Sequence, residues 1–516
     1  MNERFAAAWR VLPDYLGQHV LLSASALALG LLISLPLVVV ASRNARIRWP
    51  VLAFASLIQT VPSLALLALF YPLLIALSAG SEKLFGHGFS ALGFLPSLMA
   101  LTLYSMLPIL RNGATALLNI DPAIIEAAHG VGMTKRQQLL RIELPIAAPV
   151  LMAGIRTSAV WVIGTATLST PVGQTSLGNY IFSGLQIEDW VSVLFGCVAA
   201  VLLALVTDQL LGVVEAGVAS RRYRKVWAGV TLLAVGVAAA LAPAAGAGRT
   251  TYVVGAKNFS EQYILSAVMA DRLRKQHVSA DQRSGLGSVI AFRALANNEI
   301  DAYVDYSGTL WANVLGRTDV LPRAQLLREL TSALRERYKV TLLGPLGFEN
   351  AYALAMRRQR AQSLGVRSIA DLARESSALG MGSDLEFLER PEWASLRDKY
   401  GLRFKSLRQF QPTFMYRAVK SNEVDVISAF SSDGRIEAYD LVVLTDPLQA
   451  VLPYDAVLLL SPARAADATL RQALQPMVNA IPIEVMRKAS LMVDRDVNKK
   501  SPQEAAAWLE ESSSLD

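Results

Sequence analysis

The residue types that carry out most protein catalysis are scattered along this sequence. The four histidines are His19, His87, His129 and His277. None of them lies in an H-x-x-x-H pattern, and the single cysteine, Cys197, can form neither an intrachain disulfide nor a multi-cysteine metal site. No nucleophile, base and orienting group occur together. The sequence therefore predicts no metal site, no cofactor and no enzyme.

Two turns in the second half of the chain carry polar residues suited to a small anion. The segment GAKNFSEQ, residues 255–262, follows a short apolar strand and precedes a helix, with Asn258 or Ser260 as the expected cap. A helix N-terminus at the end of a strand leaves free backbone N–H groups, which suit a carboxylate. Ser288, in SGLGS, predicts a second cap of this kind, although a plain turn is the more common meaning of G-x-G.

The elements that must position these residues change in character near residue 248. Hydrophobic residues make up 53% of the 516 residues, and the mean hydropathy of +0.36 is high for a soluble protein. Apolar stretches close to the ~20 residues of a membrane-spanning helix lie at 20–41, 51–78, 93–110, 147–169, 191–216 and 227–247. After about residue 250, strand-length apolar runs alternate with helix-periodic ones, which predicts a soluble α/β domain.

The distribution of charge predicts the orientation of the spans. The net charge is +7, but basic residues of the first half cluster between apolar runs, which favours membrane orientation over nucleic-acid binding. The clustered residues are Arg43, Arg46, Arg48, Arg111, Lys135, Arg136, Arg141, Arg221, Arg222, Arg224 and Lys225. The alternate loops, 79–92 and 170–190, contain Lys83 as their only lysine or arginine. They are therefore expected outside, and the basic loops inside. The N-terminus is then outside, although Arg4 and Arg10 lie there.

The longest inside loop, residues 119–145, predicts a helix-turn-helix. Asp121 is a good N-cap with Pro122 at the first helical position, and Gly130 and Gly132 are expected to end that helix. Thr134 begins a second helix with Gln137 as its capping-box partner, and Pro145 is expected to end it. From physics alone, an amphipathic hairpin on the membrane surface is an equally good interpretation.

The residue spacing in this loop resembles the EAA motif of ABC importer permeases. The matching residues are Glu126, Ala127, Ala128, Gly132, Ile142, Leu144 and Pro145. In that family the motif forms the coupling helices that dock on an ATPase subunit. The segments IQTVPSLALLAL (58–69) and GIRTSAVWVIGTATLST (154–170) are similar to permeases of osmoprotectant importers. The resemblance implies an all-α polytopic permease domain with five core transmembrane helices and one tether helix. Because the chain contains no Gly-Lys dipeptide and hence no phosphate-binding loop, a separate ATPase subunit is expected.

The second half is similar to the binding proteins of the same osmoprotectant systems. The similar segments are GAKNFSEQ (255–262), EIDAYVDYSGT (299–309), GFENAYALAM (347–356), EFLERPEW (386–393) and FSSDGRI (430–436). The resemblance implies an α/β domain with two lobes that close around a small ligand, the chain crossing between them twice. Expected domains are therefore a permease at 1–226, a tether at 227–249 and a substrate-binding domain at 250–516.

The resemblance also implies a ligand site. A trimethylammonium head has no N–H, so aromatic faces and nearby carboxylates must hold it. The ligand residues expected from the matching segments are Asn258, Phe259, Gln262, Tyr306, Thr309, Tyr352, Glu386, Phe387, Phe430 and Arg435, with Asp384 as a further anionic neighbour. For any single ring, ordinary core packing is an equal alternative. Phenylalanines at 387 and 430 depart from the tyrosine-rich cages of some relatives, which leaves glycine betaine, carnitine and ergothioneine open.

Arg435, in SSDGR, has two alternative partners. Its planar fork suits a ligand carboxylate, and a salt bridge with Asp433 or Asp440 competes with that role. If Arg435 faces the cleft, it favours a zwitterion over choline.

These patterns predict a permease fused to a substrate-binding subunit of an ABC importer for quaternary-ammonium solutes: glycine betaine, carnitine, choline or proline betaine. The expected assembly is a homodimer in the lipid of a bacterial inner membrane, with two ATPase subunits and the binding domain on the periplasmic or extracellular side. Alternatives are an ergothioneine importer of the same architecture and a membrane-anchored sensor without transport. Residues 221–247 resemble a secretory signal, with a possible cleavage site at Ala245-Gly246-Ala247, but an uncut outward-crossing tether is expected.

Overall fold

A computed structural model of the chain divides it into two compact units. One comprises residues 1–182 and 191–247, and the other residues 183–190 and 248–516. The structure describes residues 2–85, 89, 93–186, 189–246, 252–317, 319, 321–495, 497–513 and 515. His87, the expected domain boundary at 249–250 and the last residue of the Ala245-Gly246-Ala247 site lie outside the described residues.

The first unit is built from helices. They are α1 (Asn2–Arg43), α2 (Ala45–Thr60), α3 (Ser63–Phe85), α4 (Phe94–Leu118), α5 (Pro122–Gly130), α6 (Lys135–Gln138), α7 (Leu144–Ala166), α8 (Gly178–Gln186), α9 (Trp190–Ala219) and α10 (Tyr223–Gly246). Among the described residues, six helical runs are long and apolar enough to cross a membrane. They are Ala8–Arg43, Ser63–Phe85, Phe94–Leu118, Lys135–Val172, Trp190–Ala219 and Tyr223–Ala242.

Helices α1, α4 and α7 form the packed centre of this unit. Leu22 and Leu101 are fully buried, and they form a cluster with Val162 and Ala166. Glycine permits the close approach of α4 and α7, because a Cβ on Gly154 would lie 2.7 Å from the carbonyl oxygen of Pro108. Three of the six apolar runs therefore form the centre of this unit.

The expected span at 51–78 is wrong. Helix α2 ends at Thr60 and α3 begins at Ser63, with Val61 in an extended conformation between them. The cause is Pro62, since the residue before a proline is driven out of the helical region. The 16 residues of α2 are too few for the ~20 that a spanning helix requires. The membrane-crossing part of this stretch is therefore α3 alone.

The expectation that Pro145 ends the second loop helix is also wrong. Helix α6 continues through a π-helical turn, Leu139–Glu143, directly into α7, so that Pro145 lies in the first turn of α7. A proline is tolerated there because the first helical residues have no intrahelical acceptor for their N–H groups. The chain therefore runs as one helix from the loop into the membrane-spanning segment.

The second unit, a two-lobed α/β domain, contains ten named strands and most of the remaining helices. The strands are β1 (Tyr252–Lys257), β2 (Ala280–Leu286), β3 (Ala302–Tyr306), β4 (Thr341–Glu349), β5 (Tyr352–Arg357), β6 (Gly380–Ser383), β7 (Ser406–Gln409), β8 (Val426–Phe430), β9 (Leu441–Val443) and β10 (Asp455–Leu460). The helices are α11 (Ser260–Lys275), α12 (Ser288–Ala296), α13 (Ser307–Thr309), α14 (Arg323–Tyr338), α15 (Arg358–Leu364), α16 (Ile369–Glu375), α17 (Pro391–Tyr400), α18 (Pro412–Lys420), α19 (Arg435–Ala438), α20 (Ala468–Leu474), α21 (Ile483–Asp494) and α22 (Pro502–Ser512).

These strands form two sheets, one in each lobe. The order is β2-β1-β3-β10-β4 in the first lobe and β7-β6-β8-β5-β9 in the second. In the first lobe β1 runs parallel to β2 and β3, and in the second β6 runs parallel to β7 and β8. The chain crosses between lobes twice, from β4 to β5 and from β9 to β10, which confirms the expected topology. The carboxyl ends of the parallel strands are where α/β sheets bind ligands.

Both expected helix caps in this unit are wrong. Helix α11 begins at Ser260 with Phe259 in the cap position, and α12 begins at Ser288 with Gly287 there. Neither cap residue forms a side-chain cap hydrogen bond. Instead, the Ser260 hydroxyl donates to the Asp494 carboxylate of α21. A partner far away in sequence has replaced the local cap.

Candidate functional site

A cavity of about 210 Å³ lies between the two lobes of the second unit. Its walls include residues at or just beyond the carboxyl ends of parallel strands. They are Phe259 after β1, Tyr306 at the end of β3, Asp384 after β6 and Phe430 at the end of β8. An engineered cavity of roughly 150 Å³ holds benzene, so this one is large enough for a small organic ligand. Of the ten predicted ligand residues, all but Gln262 and Phe387 line it.

Aromatic rings form a continuous series along the cavity. Phe259, from the first lobe, and Phe430, from the second, lie with centroids 6.3 Å apart and planes within 2° of parallel. Phe259 also stacks near Tyr306 at 6.1 Å, and Phe430 lies 4.9 Å from Tyr352. Tyr352 contacts the ring of Tyr454 edge-on at 6.0 Å. A ligand in the cavity would meet rings from both lobes.

The faces of these rings are not equally available. The Arg390 guanidinium lies 4.9 Å from the centroid of Tyr352, and the Lys257 ammonium 5.1 Å from that of Tyr306. Within the part of the chain that the structure describes, no Lys or Arg lies over the ring of Phe259 or Phe430. These two phenylalanines therefore offer the π faces that the protein's own cations leave uncovered.

Two predicted ligand residues lie behind the wall instead. Gln262 is buried, donates to the Tyr306 hydroxyl at 2.9 Å and accepts from the Lys257 backbone N–H at 3.3 Å. Phe387 is fully buried and packs 5.0 Å from Tyr352 and 5.8 Å from Trp393. Both residues support rings or turns that do line the cavity. Asn258, Thr309 and the exposed Glu386 are on its surface.

Arg435 lines the cavity, but its fork is engaged with a neighbour. Its Nε lies 2.9 Å from Asp433 Oδ1 and its Nη2 2.6 Å from Oδ2, a bidentate pair. The guanidinium also lies 4.2 Å from the ring centroid of Tyr416. Asp440, the other partner considered from sequence, is paired with Arg358 instead. A ligand carboxylate would have to share Arg435 with Asp433.

Two further cations of the wall were missed by the sequence prediction, and each already has a carboxylate. Lys257 is buried against Asp305 of β3. Arg390 is buried against Glu392 at 3.1 Å and donates to the Tyr454 hydroxyl at 2.9 Å. Each of the three cations that line the cavity, Arg435 included, is thus neutralised within the protein.

One carboxyl group of the wall has neutral hydrogen-bond partners in place of a cation. Glu261, in the first turn of α11, accepts from the Tyr306 hydroxyl at 2.5 Å, from the Asn350 amide at 3.4 Å and from the Ser432 hydroxyl. Burial raises the pKa of Glu261 to about 7, although these hydrogen bonds favour its charged form. Burial also raises the pKa of Asp494 to about 7 and that of Asp384 above its ordinary value.

A second candidate site, in the first unit, is the predicted loop between α4 and α7. The Asp121 carboxylate caps α5 by accepting from the Ala123 N–H at 2.9 Å, and α5 ends at Gly130. Gly132 follows with φ +76°, which favours glycine. Thr134 and Gln137 form the predicted capping box. These local features are confirmed.

Most residues of this loop are exposed. Glu126, Ala127 and Gly132 are exposed, and Val131 has 74% of its surface exposed, whereas Ala128 is buried. Leu144 and Pro145 lie in the first turn of α7, beyond the loop itself. The predicted docking residues therefore divide into an exposed group on α5 and its turn, and a group at the start of α7.

Comparison with known families decides what these two units are. Residues 250–511 match the substrate binding domain of ABC-type glycine betaine transport systems, and residues 26–220 match the inner membrane component of binding-protein-dependent transport systems. This chain is a permease fused to a binding domain of the glycine betaine transport family. It is a multi-pass membrane protein of an ABC importer, and the permease family implies an ATPase partner.

Relatives of this fused permease and binding domain include transporters of several named substrates. An ergothioneine transport permease/ergothioneine binding protein of Helicobacter pylori is 27% identical over 419 residues, covering 78% of this chain and 72% of the relative. A choline transport system permease protein of Bacillus subtilis is 40% identical over 198 residues, covering 38% of this chain and 84% of the relative. A solved glycine betaine/carnitine/choline ABC transporter is 24% identical with a TM-score of 0.46, covering 51% of this chain and 99% of its own.

Sequence reasoning about the binding domain missed Lys257 and Arg390, although the carboxylate partner of Arg390, Glu392, lies only two residues away. Their other partners are distant. Arg390 meets Tyr454, 64 residues away, and Lys257 meets Asp305, 48 residues away. A usable signal existed for Glu261, since it lies in the GAKNFSEQ turn that was singled out as a site. Asn258 and Gln262 were expected from that segment, and the structure places Asn258 and Glu261 on the cavity surface but Gln262 behind it.

Proposed function

We propose that the chain imports small quaternary-ammonium solutes, with glycine betaine, carnitine, choline or proline betaine as its ligand. The observation that supports this most is the pair Phe259 and Phe430, one ring from each lobe, whose faces carry no protein cation among the described residues. A trimethylammonium head requires such faces, because it has no N–H to donate. The named substrates of the choline permease and of the other osmoprotectant permeases fit the same chemistry.

The charges of the wall favour a ligand with a positive head over an anion. Arg435, Arg390 and Lys257 each have a carboxylate partner, whereas Glu261 is held by hydroxyl and amide donors. A cationic or zwitterionic ligand can complement such a carboxyl. The predicted ligand residues Asn258, Phe259, Tyr306, Thr309, Tyr352, Glu386, Phe430 and Arg435 surround this space, and Gln262 and Phe387 contribute by supporting it.

A second candidate ligand is ergothioneine, which also has a trimethylammonium head and a carboxylate. The relative whose match extends over both domains is an ergothioneine permease and binding protein, whereas the choline relative matches over the permease alone. Titration of the full chain in detergent with choline, glycine betaine, carnitine and ergothioneine separates the candidates. Tight choline binding without preference for a betaine would contradict a carboxylate-binding role for Arg435.

We further propose that two copies of the chain and two ATPase subunits form the importer. One copy provides half of a transmembrane path, so a two-fold dimer completes it. The basic loops on one side of the spans favour the α5 turn on the cytoplasmic side, with the binding domain, joined by an uncut α10, on the opposite side. A tether keeps the binding domain at a high effective concentration near the permease. A single full-length band in the membrane fraction is the expected observation for an uncut tether.

Coupling through the α5 turn is tested with a matched pair of glycines. Gly132 has φ +76° and Gly130 is helical, and a Cβ added at either would meet no atom within 4 Å. Gly132→Ala strains the backbone by about 1–2 kcal/mol, whereas Gly130→Ala does not, so ATP-dependent uptake of labelled glycine betaine into vesicles should be lost only in the first. Equal uptake by both variants would contradict coupling at this turn, whereas no ATP-dependent uptake by the unaltered chain would favour a sensor that does not transport.

A further inference from the structure

A buried carboxylate lies where the coupling loop enters the membrane-spanning part of the permease. Glu143, the last residue of the π-helical turn, has 8% of its side chain exposed. One nitrogen of Arg43, Nη2, lies 3.0 Å from Oε1 and 2.8 Å from Oε2 of this carboxylate. The Gln138 amide donates to Oε1 at 2.5 Å. From the sequence, Arg43 was used only to orient the spans, and no role was assigned to Gln138 or Glu143.

The positions of the two charges connect separate helices. Glu143 immediately precedes α7, and the chain is helical without a break from Lys135 of the loop to the end of α7. Arg43 is the last residue of α1. A displacement of the loop would therefore reach α7 along the backbone, and α1 through the ion pair.

A second contact joins the same two helices far from the loop. His19 of α1 is fully buried, and its Nε2 lies 3.0 Å from the carbonyl oxygen of Ile163 in α7. Its Nδ1 accepts from the Leu177 N–H at 3.4 Å, which leaves Nε2 as the donor to Ile163. Residues 19 and 43 are about 36 Å apart along a helix, and residues 143 and 163 about 30 Å, at 1.5 Å per residue. Helices α1 and α7 are thus joined at two points, which lie near the two ends of α7.

We infer that Arg43 and Glu143 are positioning residues that make α1 move with α7 when the coupling loop is displaced. The inference rests on the proposed function, because it assumes that an ATPase displaces this loop. The pair is suited to the task, since Glu143 is buried and its loss of Arg43 would leave a carboxylate without its cation at the junction. A π-helical turn is also a common place for functional adjustment within a helix.

The geometry of the Arg43–Glu143 ion pair predicts different effects for different substitutions. A single nitrogen of Arg43 serves both carboxylate oxygens, so the one ammonium of Arg43→Lys can replace it, whereas Arg43→Met cannot. Glu143→Gln keeps the shape of the side chain and removes its charge. The double variant R43M/E143Q leaves neither charge unpaired, so it separates loss of coupling from the instability of a lone charge.

The experiment measures uptake of labelled glycine betaine and ATP hydrolysis in the same proteoliposomes, which contain the full chain and its ATPase. We expect Glu143→Gln, Arg43→Met and the double variant to lower the number of ligands imported per ATP by about fivefold, a typical size for a change in coupling. Arg43→Lys should retain most of the ratio. Ligand affinity should be unchanged in all of them. Arg46→Met, at an exposed neighbouring arginine, is the matched control and should behave as the unaltered chain.

The results separate this inference from the proposed function. If the unaltered chain shows no ATP-dependent uptake, the proposed function fails and the inference fails with it. If the unaltered chain transports and the double variant imports the same number of ligands per ATP, the inference alone is overturned. Should Glu143→Gln not fold, the double variant gives the deciding ratio, because it carries no unpaired charge.

Discussion

The permease and the binding domain pair their charged side chains in different ways. In the permease, charged side chains among the described spans pair between helices: Arg43 with Glu143, and Arg156 of α7 with both Asp208 and Glu215 of α9. In the binding domain, the three cations of the cavity wall are likewise paired, but Glu261 is held by hydroxyl and amide groups. In the permease, ion pairs connect helices. In the binding domain, a carboxyl group without a cation of its own can pair with a cationic ligand.

The physical setting explains the difference. A carboxylate within an apolar span costs several kcal/mol unless a cation accompanies it permanently. A ligand cavity is empty for part of the transport cycle. A carboxyl group there can be protonated when the cavity is empty and charged when a cationic ligand is bound. The raised pKa of Glu261 agrees with this behaviour. Acidic side chains therefore have a structural role in the permease and a binding role in the binding domain.

The largest expected effect comes from removing Arg156. Its guanidinium donates to Asp208 at 3.0 and 2.8 Å and to Glu215 at 2.6 Å, so Arg156→Met leaves two carboxylates of α9 without a cation. We expect the free energy of unfolding to fall by about 3 kcal/mol, measured as a lowered melting temperature in detergent. The exposed Arg224, changed to Met, is the control and should alter little.

A triple variant tests the cause of that loss. R156M/D208N/E215Q removes all three charges and should recover most of the lost stability, because no unpaired charge remains. If the triple variant is as unstable as Arg156→Met, then packing of the Arg156 side chain against Gly212, whose Cβ would lie 3.4 Å from the guanidinium carbon, matters more than charge.

The Arg156 cluster also marks the limit of what could be predicted from the sequence. The apolar runs, the basic loops and the caps at Asp121 and Thr134 were predictable, because each depends on residues within one turn or one span. Arg156 lies within the apolar run 147–169, where a charge needs an interior place or a helix end, but its partners lie 52 and 59 residues away. The break at Pro62 had a local signal, the proline itself, which a run of apolar residues on both sides concealed.

The same reasoning applies to the candidate ligand site. The matching segments predicted which turns surround the cavity, because turns at strand ends are local in sequence. Which side chain of each turn faces inward depends on the helix that follows, as Gln262 and Glu261 show. The caps at Asn258 and Ser260 failed because Asp494, 234 residues from Ser260, takes the serine hydroxyl. Long-range pairing was beyond the sequence in every case.

The next effect concerns the aromatic rings. Phe430→Leu keeps an apolar side chain and removes a π face, so it should weaken binding of a trimethylammonium ligand by about 1–2 kcal/mol, roughly 5- to 30-fold. Phe404→Leu is the matched control, since Phe404 stacks on Trp393 at 6.2 Å and does not line the cavity. Both are measured by calorimetric titration of the full chain.

A neutral ligand distinguishes a cation–π contact from simple apolar packing. The carbon isostere of choline, with a tert-butyl group in place of the trimethylammonium head, should bind the unaltered chain weakly and Phe430→Leu equally weakly. If Phe430→Leu weakens binding of both ligands by the same factor, the ring acts by its apolar area alone, and the wall of the binding domain resembles an ordinary core.

The smallest effect is a dependence on pH, which tests the idea of carboxyls that await a cation. The pKa of Glu261 is raised to about 7 by burial, with the Asp433 carboxylate adding to the shift. The free site is therefore protonated at Glu261 below pH 7, and a cationic head that favours the carboxylate must displace that proton. Choline affinity should then rise severalfold between pH 6 and pH 8, by less than the tenfold per unit that one proton allows, with proton release on binding near pH 6.5.

In Glu261→Gln this rise should shrink, and the part that remains should disappear in E261Q/D494N, because the pKa of Asp494 is also raised to about 7. A rise of the same size in the double variant would mean that neither carboxyl meets the ligand, and that the binding domain, like the permease, neutralises its buried charge without help from the solute it carries.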